Sequence, residues 1–566
     1  MANPQIKLLD FKVKDQNTLG YRCFDKDSNG LVIQMFGLDE NQKNYSIFVN
    51  NFEPFFYIKI SREWTAKTLE NYKNYLIEHL ETQRKRERAR NYKSYHVNRR
   101  GDGEFVDNNE RYYENSITEI EIVEKHKLYG FDNHKKHKYV RISFKNTSVF
   151  NKIRNMFYDS FPDPTSHFGV KKVLKKVTWN KTDLELYEAK IPPLLKFFHI
   201  KKISPSGWIE IPKRKIKTKR KITYCDFEYH VFWDDIVALP EKETSVPIKI
   251  CSFDIEASSS HGDFPMAIKN YNKLAGEIIT YWNANYNSIT KLTDKQQKSL
   301  IKQCILTAFE IKKMDGISEV YTKSPVRERS IRELIHLIQT KPIKDILRMN
   351  RSSLNYESKY DSENSSDYSD DEDDENVVKK REFKFYVKKD WSLISFLNDQ
   401  KEDNAKKLSI VTDLLTHVFP QLEGDKVTFI GSTFMNYGDC EPYYNHGICL
   451  GSCNDFEIEN SRTDIISCDN ERSVLMEWKR MLLKEQPNII IGYNIFGFDW
   501  KFLCNRAIEL NCFNPKKNPN SDTTDWFVEI SKNKEMKSRR QNKKIKIASG
   551  EHNLDYPDLD GIIQID

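Results

Sequence analysis

The segment Ile248-Lys-Ile-Cys-Ser-Phe-Asp-Ile-Glu-Ala257 sets the strongest limit on how this chain folds. Its apolar and β-branched residues predict a strand in the interior of a sheet. Asp254 and Glu256 lie two positions apart in that run, so both point to one face, about 7 Å apart at ~3.3 Å per residue. Because burying an unpaired charge is costly, the segment predicts carboxylates in the interior with a cation beside them.

A hard divalent metal such as Mg²⁺ or Mn²⁺ suits such a pair, since it prefers oxygen ligands. The alternative is a strand end whose carboxylates are simply solvated. The Asp-x-Glu spacing is not specific by itself, because it recurs at Asp102/Glu104, Asp183/Glu185, Asp226/Glu228 and Asp439/Glu441. The apolar strand and the small residues 257–260 that follow distinguish Asp254 and Glu256.

A third carboxylate, Asp499, follows a second β-branched segment, Asn488-Ile-Ile-Ile-Gly-Tyr-Asn494. An Asp in the first turn of a helix is commonly a cap or a partner of the helix dipole. Ligands of α/β sheets, however, collect where strands end. Three carboxylates on neighbouring elements can hold two cations ~3.5–4 Å apart, an arrangement that hydrolyses phosphodiesters.

The charge of the chain favours a polyanionic partner. The net charge is +7, although residues 357–376 hold ten acidic side chains and one lysine, so the rest of the chain is strongly basic. No apolar run is long enough to span a membrane, and we expect no membrane partner. The nearest approach to a cysteine cluster is Cys440, Cys449, Cys453 and Cys468, for which free thiols are the alternative to a metal site.

The pattern along the chain predicts several domains of mixed class. Residues 1–60 read as β-rich, with a helix over 62–90 and strands at 137–145 and 206–211. A second β-rich block begins near Val246. We expect a largely helical insertion over 266–425, with helices near 271–288, 294–314, 327–349 and 390–418, and the acidic tract 357–376 is predicted to be disordered. Strand 426–434, helix 473–486 and the strand–helix unit 488–503 then favour a mixed α/β sheet.

Two of these motifs resemble those of a known family. Ser252-Phe-Asp-Ile-Glu256 resembles the first exonuclease motif of the family B DNA polymerases, and Gly492-Tyr-Asn-Ile-Phe-Gly-Phe-Asp499 resembles the second. The N-terminal segments are similar to those of delta-type replicative polymerases, and the insertion is not part of the common core. The composition further suggests a large DNA virus. The segments that carry this second similarity are 32–37, 52–57, 128–131, 186–192, 206–210 and, at the other end of the sequence, 561–566.

The resemblance implies an architecture and an activity. Residues 1–240 would form the family's β-rich N-terminal domain, and 241–566 most of an RNase H-like 3′–5′ proofreading exonuclease domain, interrupted by the insertion. Asp254, Glu256 and Asp499 would ligate two Mg²⁺ or Mn²⁺ ions. Tyr493, Asn494 and Phe498 would line the channel for the primer 3′ end, where stacking tolerates any base.

The sequence also departs from the family. The third exonuclease motif, Tyr-x-x-x-Asp on a helix, is matched only by Tyr556-Pro-Asp-Leu-Asp560, where Pro557 disfavours a helix. The polymerase motifs of the palm are absent, and the chain ends on an apolar strand. We therefore expect an interrupted protein that polymerises nothing alone and degrades DNA weakly or not at all. A second chain or a continuation would carry the palm, fingers and thumb, and a sliding clamp is a further candidate partner.

Three basic stretches are candidates for contacts with primer or template phosphates, with solvated loops as the alternative. They are 84–100, 212–221 and 532–546. The second also has the pattern of a nuclear localisation signal, and the chain is expected inside the cell, in a host nucleus or a cytoplasmic viral factory. The third is predicted to border the DNA as a hairpin through Arg539, Arg540, Lys543 and Lys544.

Two other functions stay open from the residues. A self-sufficient exonuclease would require Asp560 to be a genuine fourth ligand. A non-catalytic DNA-binding or assembly fragment would retain Asp254, Glu256 and Asp499 without metal.

Overall fold

A computed structural model describes most of the chain, namely residues 3–15, 30–60, 64–98, 115–127, 130–162, 170–259, 262–349, 391–454, 461–512, 527–534, 538–548 and 550–566. It divides into two compact units, Met1–Glu256 with Thr428–Asp566, and Ala257–Val427. The predicted acidic tract 357–376 lies outside the described residues. In the described part of the chain, no helix is long and apolar enough to cross a membrane.

The first unit begins with a β-rich sheet, as predicted. Its described strands run in the spatial order β12-β3-β2-β1-β11-β13, mainly antiparallel, with β12 parallel to β3. Buried Ile33, Ile47 and Ile209 pack under it against Phe197 of helix α3 (Pro193–Lys201). The strands are β1 (Gln5–Asp15), β2 (Leu31–Leu38), β3 (Asn44–Asn50), β11 (Trp208–Glu210), β12 (Phe227–Phe232) and β13 (Val237–Leu239).

A second sheet of the same unit has the order β5-β6-β4-β10-β9. The chain passes through β4 (Phe55–Ile60), α1 (Ala66–Asn98), β5 (Ile117–His126), β6 (Lys136–Phe144), α2 (Thr147–Asn155) and, later, β9 (Val177–Trp179) and β10 (Thr182–Tyr187). Apart from edge strand β9, this is a βαββαβ arrangement. Phe56 of β4, Tyr72 of α1 and Phe150 of α2 share its core, so both helices cover one face. A hairpin, β7 (Tyr158–Pro162) and β8 (Val170–Leu174), lies between α2 and β9.

A third, mixed sheet carries the two motif segments. Its order is β17-β16-β15-β14-β18-β21, with β14, β18 and β21 parallel to one another. The strands are β14 (Lys249–Ser258), β15 (Lys426–Asn436), β16 (Tyr444–Leu450), β17 (Arg462–Cys468), β18 (Ile489–Ile491) and β21 (Ile563–Ile565). Helices α11 (Glu471–Glu485) and α12 (Trp500–Glu509) accompany it, and β19 (Arg540–Ile547) with β20 (Gly550–Pro557) forms a separate hairpin. The predicted mixed α/β multidomain class is confirmed.

The second unit, whose bounds enclose the predicted insertion 266–425, is helical in its described part, around its own apolar core. Ile278, Leu334, Phe396 and Leu414 are among the side chains buried together there. The helices occur where predicted, although three of the four predicted segments, all but 294–314, are each divided into two helices, with the change at Pro342 in one case. The bounds are α4 (Asn272–Ala284), α5 (Tyr286–Ile289), α6 (Asp294–Ala308), α7 (Glu328–Thr340), α8 (Ile343–Arg348), α9 (Leu393–Asn398) and α10 (Asn404–Val418).

Candidate active site

Strands β14 and β18 bring the two motif segments side by side. They pair in parallel, with Ile250 opposite Ile489 and Ser252 opposite Ile491. Since parallel strands end at the same edge of a sheet, Asp254 and the turn after β18 meet there.

The expectation that Asp254 and Glu256 lie in the interior was wrong. In β14 burial alternates, because successive side chains point to opposite faces of the sheet. Cys251, Phe253 and Ile255 are buried, whereas Asp254 and Glu256 are exposed. The apolar residues reflect one buried face, and the carboxylates occupy the other.

The turn between β18 and α12 is a tight π-helical segment, Ile495–Asp499. Asn494 before it has a left-handed conformation, with φ of 57°. A Cβ at Gly492 would lie 2.9 Å from the carbonyl oxygen of Phe253, and one at Gly497 would overlap the Asn494 side chain. Both glycines of the second motif are therefore required by close approach of other atoms.

Asp499, at the end of this turn, is the buried carboxylate of the site. Its side chain is 2% exposed, and Oδ1 has no hydrogen-bond partner. Burial, and then the charge of Asp254, raise the pKa of Asp499 to about 7, while backbone N–H groups of Asp499 and Ile255 oppose that rise. A buried carboxylate next to a second carboxylate, with one oxygen unsatisfied, favours a bound cation.

A backbone group of strand β14 orients the Asp254 side chain. The backbone N–H of Ile255 donates to Asp254 Oδ1 over 2.9 Å. Glu256 projects from the same exposed face, and its carbonyl oxygen accepts a hydrogen bond from the Thr428 hydroxyl. Within the described ranges, no group of three His, Cys, Asp or Glu side chains lies close enough to hold a metal. The structure thus brings Asp254 and Asp499 together, but not Glu256.

Asp566 is a residue of the site that sequence reasoning missed. Its carboxylate accepts hydrogen bonds from the backbone N–H groups of Ile495 (3.0 Å) and Phe496 (3.3 Å). These two donors open the turn that ends at Asp499, so Asp566 caps that turn. The only signal in the sequence was its place after β21, a parallel neighbour of β18.

The predicted DNA-lining residues of the second motif surround the turn. Tyr493 is 96% exposed, so its ring is available for stacking, and Asn494 is exposed beside it. Phe498 is half-buried, with its ring 5.4 Å from that of Phe502. These positions are compatible with the predicted contacts, which stay a prediction.

The basic stretch 532–546 does not form a hairpin by itself, but its last part is strand β19, which pairs with β20 in a hairpin that touches the second motif. Tyr556 of β20 stacks on Phe496 with ring centroids 4.4 Å apart. Arg539, Lys543 and Lys544 are exposed on or just before β19. Arg540 is instead engaged by Asp555, through Nε–Oδ1 and Nη2–Oδ2 contacts of 2.5 and 2.7 Å. Arg540 thus holds the hairpin together, and its contact with DNA stays a prediction.

Asp560, the candidate fourth ligand, has other partners. Its Oδ1 lies 2.7 Å from Lys12 Nζ in β1, and its Oδ2 accepts from Asn533 Nδ2 over 2.9 Å. Tyr556 of the same segment lies in strand β20, so the segment is not the helix that the third motif requires. These contacts tie Asp560 to the N-terminal sheet.

Other basic positions differ in their surroundings. Lys213, Arg214 and Lys215 in the stretch 212–221 are exposed. Lys532 is 2% exposed and donates to Asn44 Oδ1 over 2.6 Å, so it is a structural residue.

Comparison with known proteins finds the same family that the two motif segments resemble. The family model described as "DNA polymerase family B, exonuclease domain" matches residues 184–336 and 359–559, more than half of the chain. A DNA polymerase of Phaeocystis pouchetii virus is 35% identical over 596 residues, which covers 99% of this chain and 52% of the relative. A DNA polymerase of Pyramimonas orientalis virus is 26% identical over 576 residues, covering 98% of this chain and 40% of the relative.

A cellular relative matches a shorter region. The DNA polymerase delta catalytic subunit of Dictyostelium discoideum is 36% identical over 93 residues, or 16% of this chain and 8% of the relative. The chain spans about half the length, or less, of the curated relatives it matches. On the strength of the family match, the chain belongs to DNA polymerase family B and carries the exonuclease domain of that family.

Proposed function

We propose that the chain contributes 3′–5′ exonuclease activity to a viral DNA polymerase that acts in replication inside the cell, with Asp254 and Asp499 at the reacting centre. One observation carries this proposal. Two carboxylates converge at the ends of neighbouring parallel strands, and the buried one keeps an oxygen without a partner. An RNase H-like fold of the third sheet, with 241–566 as the exonuclease domain and 1–240 as the N-terminal domain, belongs to the same proposal.

The unpartnered oxygen of buried Asp499, next to the Asp254 carboxylate, fits a divalent cation. Asp499 and Asp254 would hold Mg²⁺ or Mn²⁺, and Glu256, on the same face of β14, would join them when the site assembles. Bound ions would activate water and stabilise the leaving 3′ oxygen of a phosphodiester. The backbone N–H of Ile255 fixes the position of the Asp254 carboxylate. The turn that contains Gly492 and Gly497 fixes the position of Asp499.

The surrounding groups would hold the primer 3′ end. Tyr493, largely solvent-exposed, offers a stacking face for an unpaired base, with Asn494 and Phe498 nearby. Arg539, Lys543 and Lys544 on the hairpin would neutralise phosphates, and Arg540 would position the hairpin.

The rest of a polymerase is a proposed partner. Relatives about twice as long support the view that a continuation or second chain supplies the palm, the fingers, the thumb and a fourth metal ligand. The partners of Asp560 favour that view over a self-sufficient exonuclease. A sliding clamp is a further proposed partner of the whole enzyme.

The test is single-turnover digestion of a 5′-labelled single-stranded oligonucleotide by the full chain with Mn²⁺ or Mg²⁺. We expect slow shortening from the 3′ end, abolished by Asp254→Asn. Asp439→Asn is the matched control, because Asp439 has the same Asp-x-Glu spacing and is exposed. Equal digestion by the wild-type and Asp254→Asn chains would contradict the proposal.

A further inference from the structure

The second unit has a groove of its own, with a volume of about 380 Å³. That volume is in the range of binding sites in proteins, about 300–1,000 Å³. The described residues that line it lie between positions 259 and 422, all within the second unit. The apolar ones among them are Phe264, Met266, Tyr271, Leu274, Val320, Tyr321 and Leu422.

Large apolar side chains are exposed at this groove. Among the described residues of the second unit, the large apolar side chains that are exposed are Phe264, Met266, Ile268 and Tyr321. Three of these side chains line the groove, and Ile268 lies two positions beyond Met266. Phe264 is 75% exposed and Met266 is 50% exposed. Exposed apolar side chains gathered in one place are typical of a surface that a partner covers.

Backbone hydrogen bonds fix the walls of the groove. The Met266 N–H donates to Asp425 Oδ2 over 2.8 Å, and the Asp425 N–H donates to the Met266 carbonyl oxygen over 2.9 Å. On the other wall, the Tyr321 carbonyl oxygen accepts from the Glu423 N–H over 2.9 Å. Because these walls are already ordered, a ligand loses little affinity to ordering them.

The lysines of the groove already have acidic partners. Lys269 Nζ lies 2.5 Å from Asp425, and Lys273 Nζ lies 2.6 Å from Asp263. The charged residues among the described lining are three carboxylates and two lysines, namely Asp263, Glu277, Glu319, Lys269 and Lys273. The lining therefore has a net negative charge.

Glu277 of helix α4 carries part of that negative charge. Its Oε2 accepts from the Ser318 backbone N–H over 2.8 Å, and its Oε1 accepts from the Ser318 hydroxyl over 2.5 Å. Both donors are neutral, so they fix the position of the carboxylate without neutralising it. A basic group of a ligand would complement this charge.

We propose that the groove binds a short segment of a partner protein, which places one aromatic or large aliphatic side chain in the groove and a neighbouring Lys or Arg beside Glu277. The anchor would contact Phe264, Met266 and Tyr321, and methionine adapts readily to different apolar partners. Exposed Ile268 lies outside the lining, so the apolar surface is longer than the groove. A peptide segment can cover both, whereas a small amine would fill only the groove. The site does not depend on the proposed exonuclease activity.

The test is a fluorine NMR titration of the full chain with a dipeptide probe, N-acetyl-(5-fluoro-Trp)-Lys-amide, which carries both an aromatic anchor and a basic neighbour. We expect it to bind about 5-fold more tightly than the same dipeptide with Glu in place of Lys, because only the lysine complements Glu277. Phe264→Ser/Met266→Ser should weaken binding of the lysine probe about 10-fold, since apolar contacts at the centre of an interface supply most of its affinity. Glu277→Gln should remove most of the difference between the two dipeptides.

The matched control for Glu277→Gln is Glu333→Gln, because Glu333 is an exposed carboxylate of the same unit that does not line the groove. It should leave both affinities unchanged, and circular dichroism confirms that each variant is folded. Absence of binding at millimolar probe, equal binding of the two dipeptides, or an unchanged affinity in Phe264→Ser/Met266→Ser would overturn the proposal.

Two further results would overturn it in favour of another occupant. Tighter binding of 5-fluorotryptamine than of the lysine dipeptide would identify a small aromatic amine as the ligand. Sedimentation equilibrium of the full chain tests the second alternative. A dimer that Phe264→Ser/Met266→Ser dissociates would show that a second copy of this chain covers the groove.

Discussion

Asp499 and Asp560 are both buried aspartates with a motif-like spacing, yet the structure surrounds them in opposite ways. Asp499 has a like charge, Asp254, as its neighbour and an oxygen without a hydrogen bond. Asp560 has cations and an amide as neighbours, with Lys12 and Asn533 in direct contact. Both are about equally buried, at 2% and 5% exposed, so burial does not distinguish them.

The difference separates a carboxylate that we propose to react from one with a structural role. A structural carboxylate has hydrogen-bond or ion-pair partners within the protein, because an unpaired charge in the interior destabilises the native state. Asp499 Oδ1 has no hydrogen-bond partner, and the pKa of this carboxyl is raised. Both features favour a ligand that completes the site. Asp560 helps to hold strand β1 of the N-terminal sheet to the segment 558–561, where Asp10 also accepts from the Gly561 N–H over 2.8 Å.

The largest expected effect that separates the two residues is on catalysis. Asp499→Asn should slow digestion of a single-stranded oligonucleotide about 1,000-fold, equivalent to ~4 kcal/mol, because it removes a charge at the reacting centre. Asp560→Asn should change the single-turnover rate less than threefold in chains shown to be folded. If both substitutions slow digestion equally, the distinction between the residues fails.

The pH dependence of stability should also differ between wild type and the Asp499→Asn variant. The pKa of Asp499 rises from 3.8 to about 7 on folding, so its contribution to stability is full below pH ~4 and lost as pH rises through 7. Between pH 4 and 8 in EDTA, we expect Asp499→Asn to gain roughly 3 kcal/mol relative to wild type. Parallel melting curves of the two proteins across this range would contradict the assignment.

Asp560→Ala should destabilise the fold by about 2 kcal/mol, because it removes one acceptor of the buried Asn533 amide and one of the two carboxylates beside the Lys12 ammonium. Burial lowers the pKa of Lys12, but Asp560 and Asp558 together raise it above its usual range. Thermal melting monitored by circular dichroism at neutral pH provides the measurement. Asp499→Asn should raise the melting temperature under the same conditions, so the two substitutions have opposite signs.

The smallest effect concerns the turn that positions Asp499. Asp566→Ala removes the acceptor for the Ile495 and Phe496 N–H groups, and a lost cap of this kind costs about 1 kcal/mol. Hydrogen exchange at those two amides should quicken about fivefold, whereas Asp566→Asn should recover part of the protection. Asp558→Ala, a substitution that leaves the turn alone, is the control, and equal exchange in all three variants would show that Asp566 does not cap the turn.

Much of the fold was predictable, because local patterns fix its elements. The alternation in β14, the β-branched run of β18 and the amphipathic helix α11 each predict their element from residues close in sequence. One error concerned the burial of side chains and not the element itself. The apolar residues of β14 suggested that Asp254 and Glu256 lie in the interior. Those apolar residues instead form the one buried face of the strand, and the two carboxylates lie on its exposed face.

The candidate site was only partly predictable. The motif spacings selected Asp254 and Asp499, which the structure brings together, but they could not show which of the two is buried. Asp566, and the engagement of Arg540 by Asp555, depend on pairings across 71 and 15 residues.

Manganese binding tests the central contrast most directly, and it does so without requiring catalysis. Electron paramagnetic resonance of free Mn²⁺, titrated with the full chain, gives the affinity for wild type, Asp499→Asn and Asp560→Asn. We predict that Asp499→Asn weakens binding at least 10-fold, while Asp560→Asn binds as wild type does. Equal affinities for wild type and Asp499→Asn, or a selective loss in Asp560→Asn, would contradict the account.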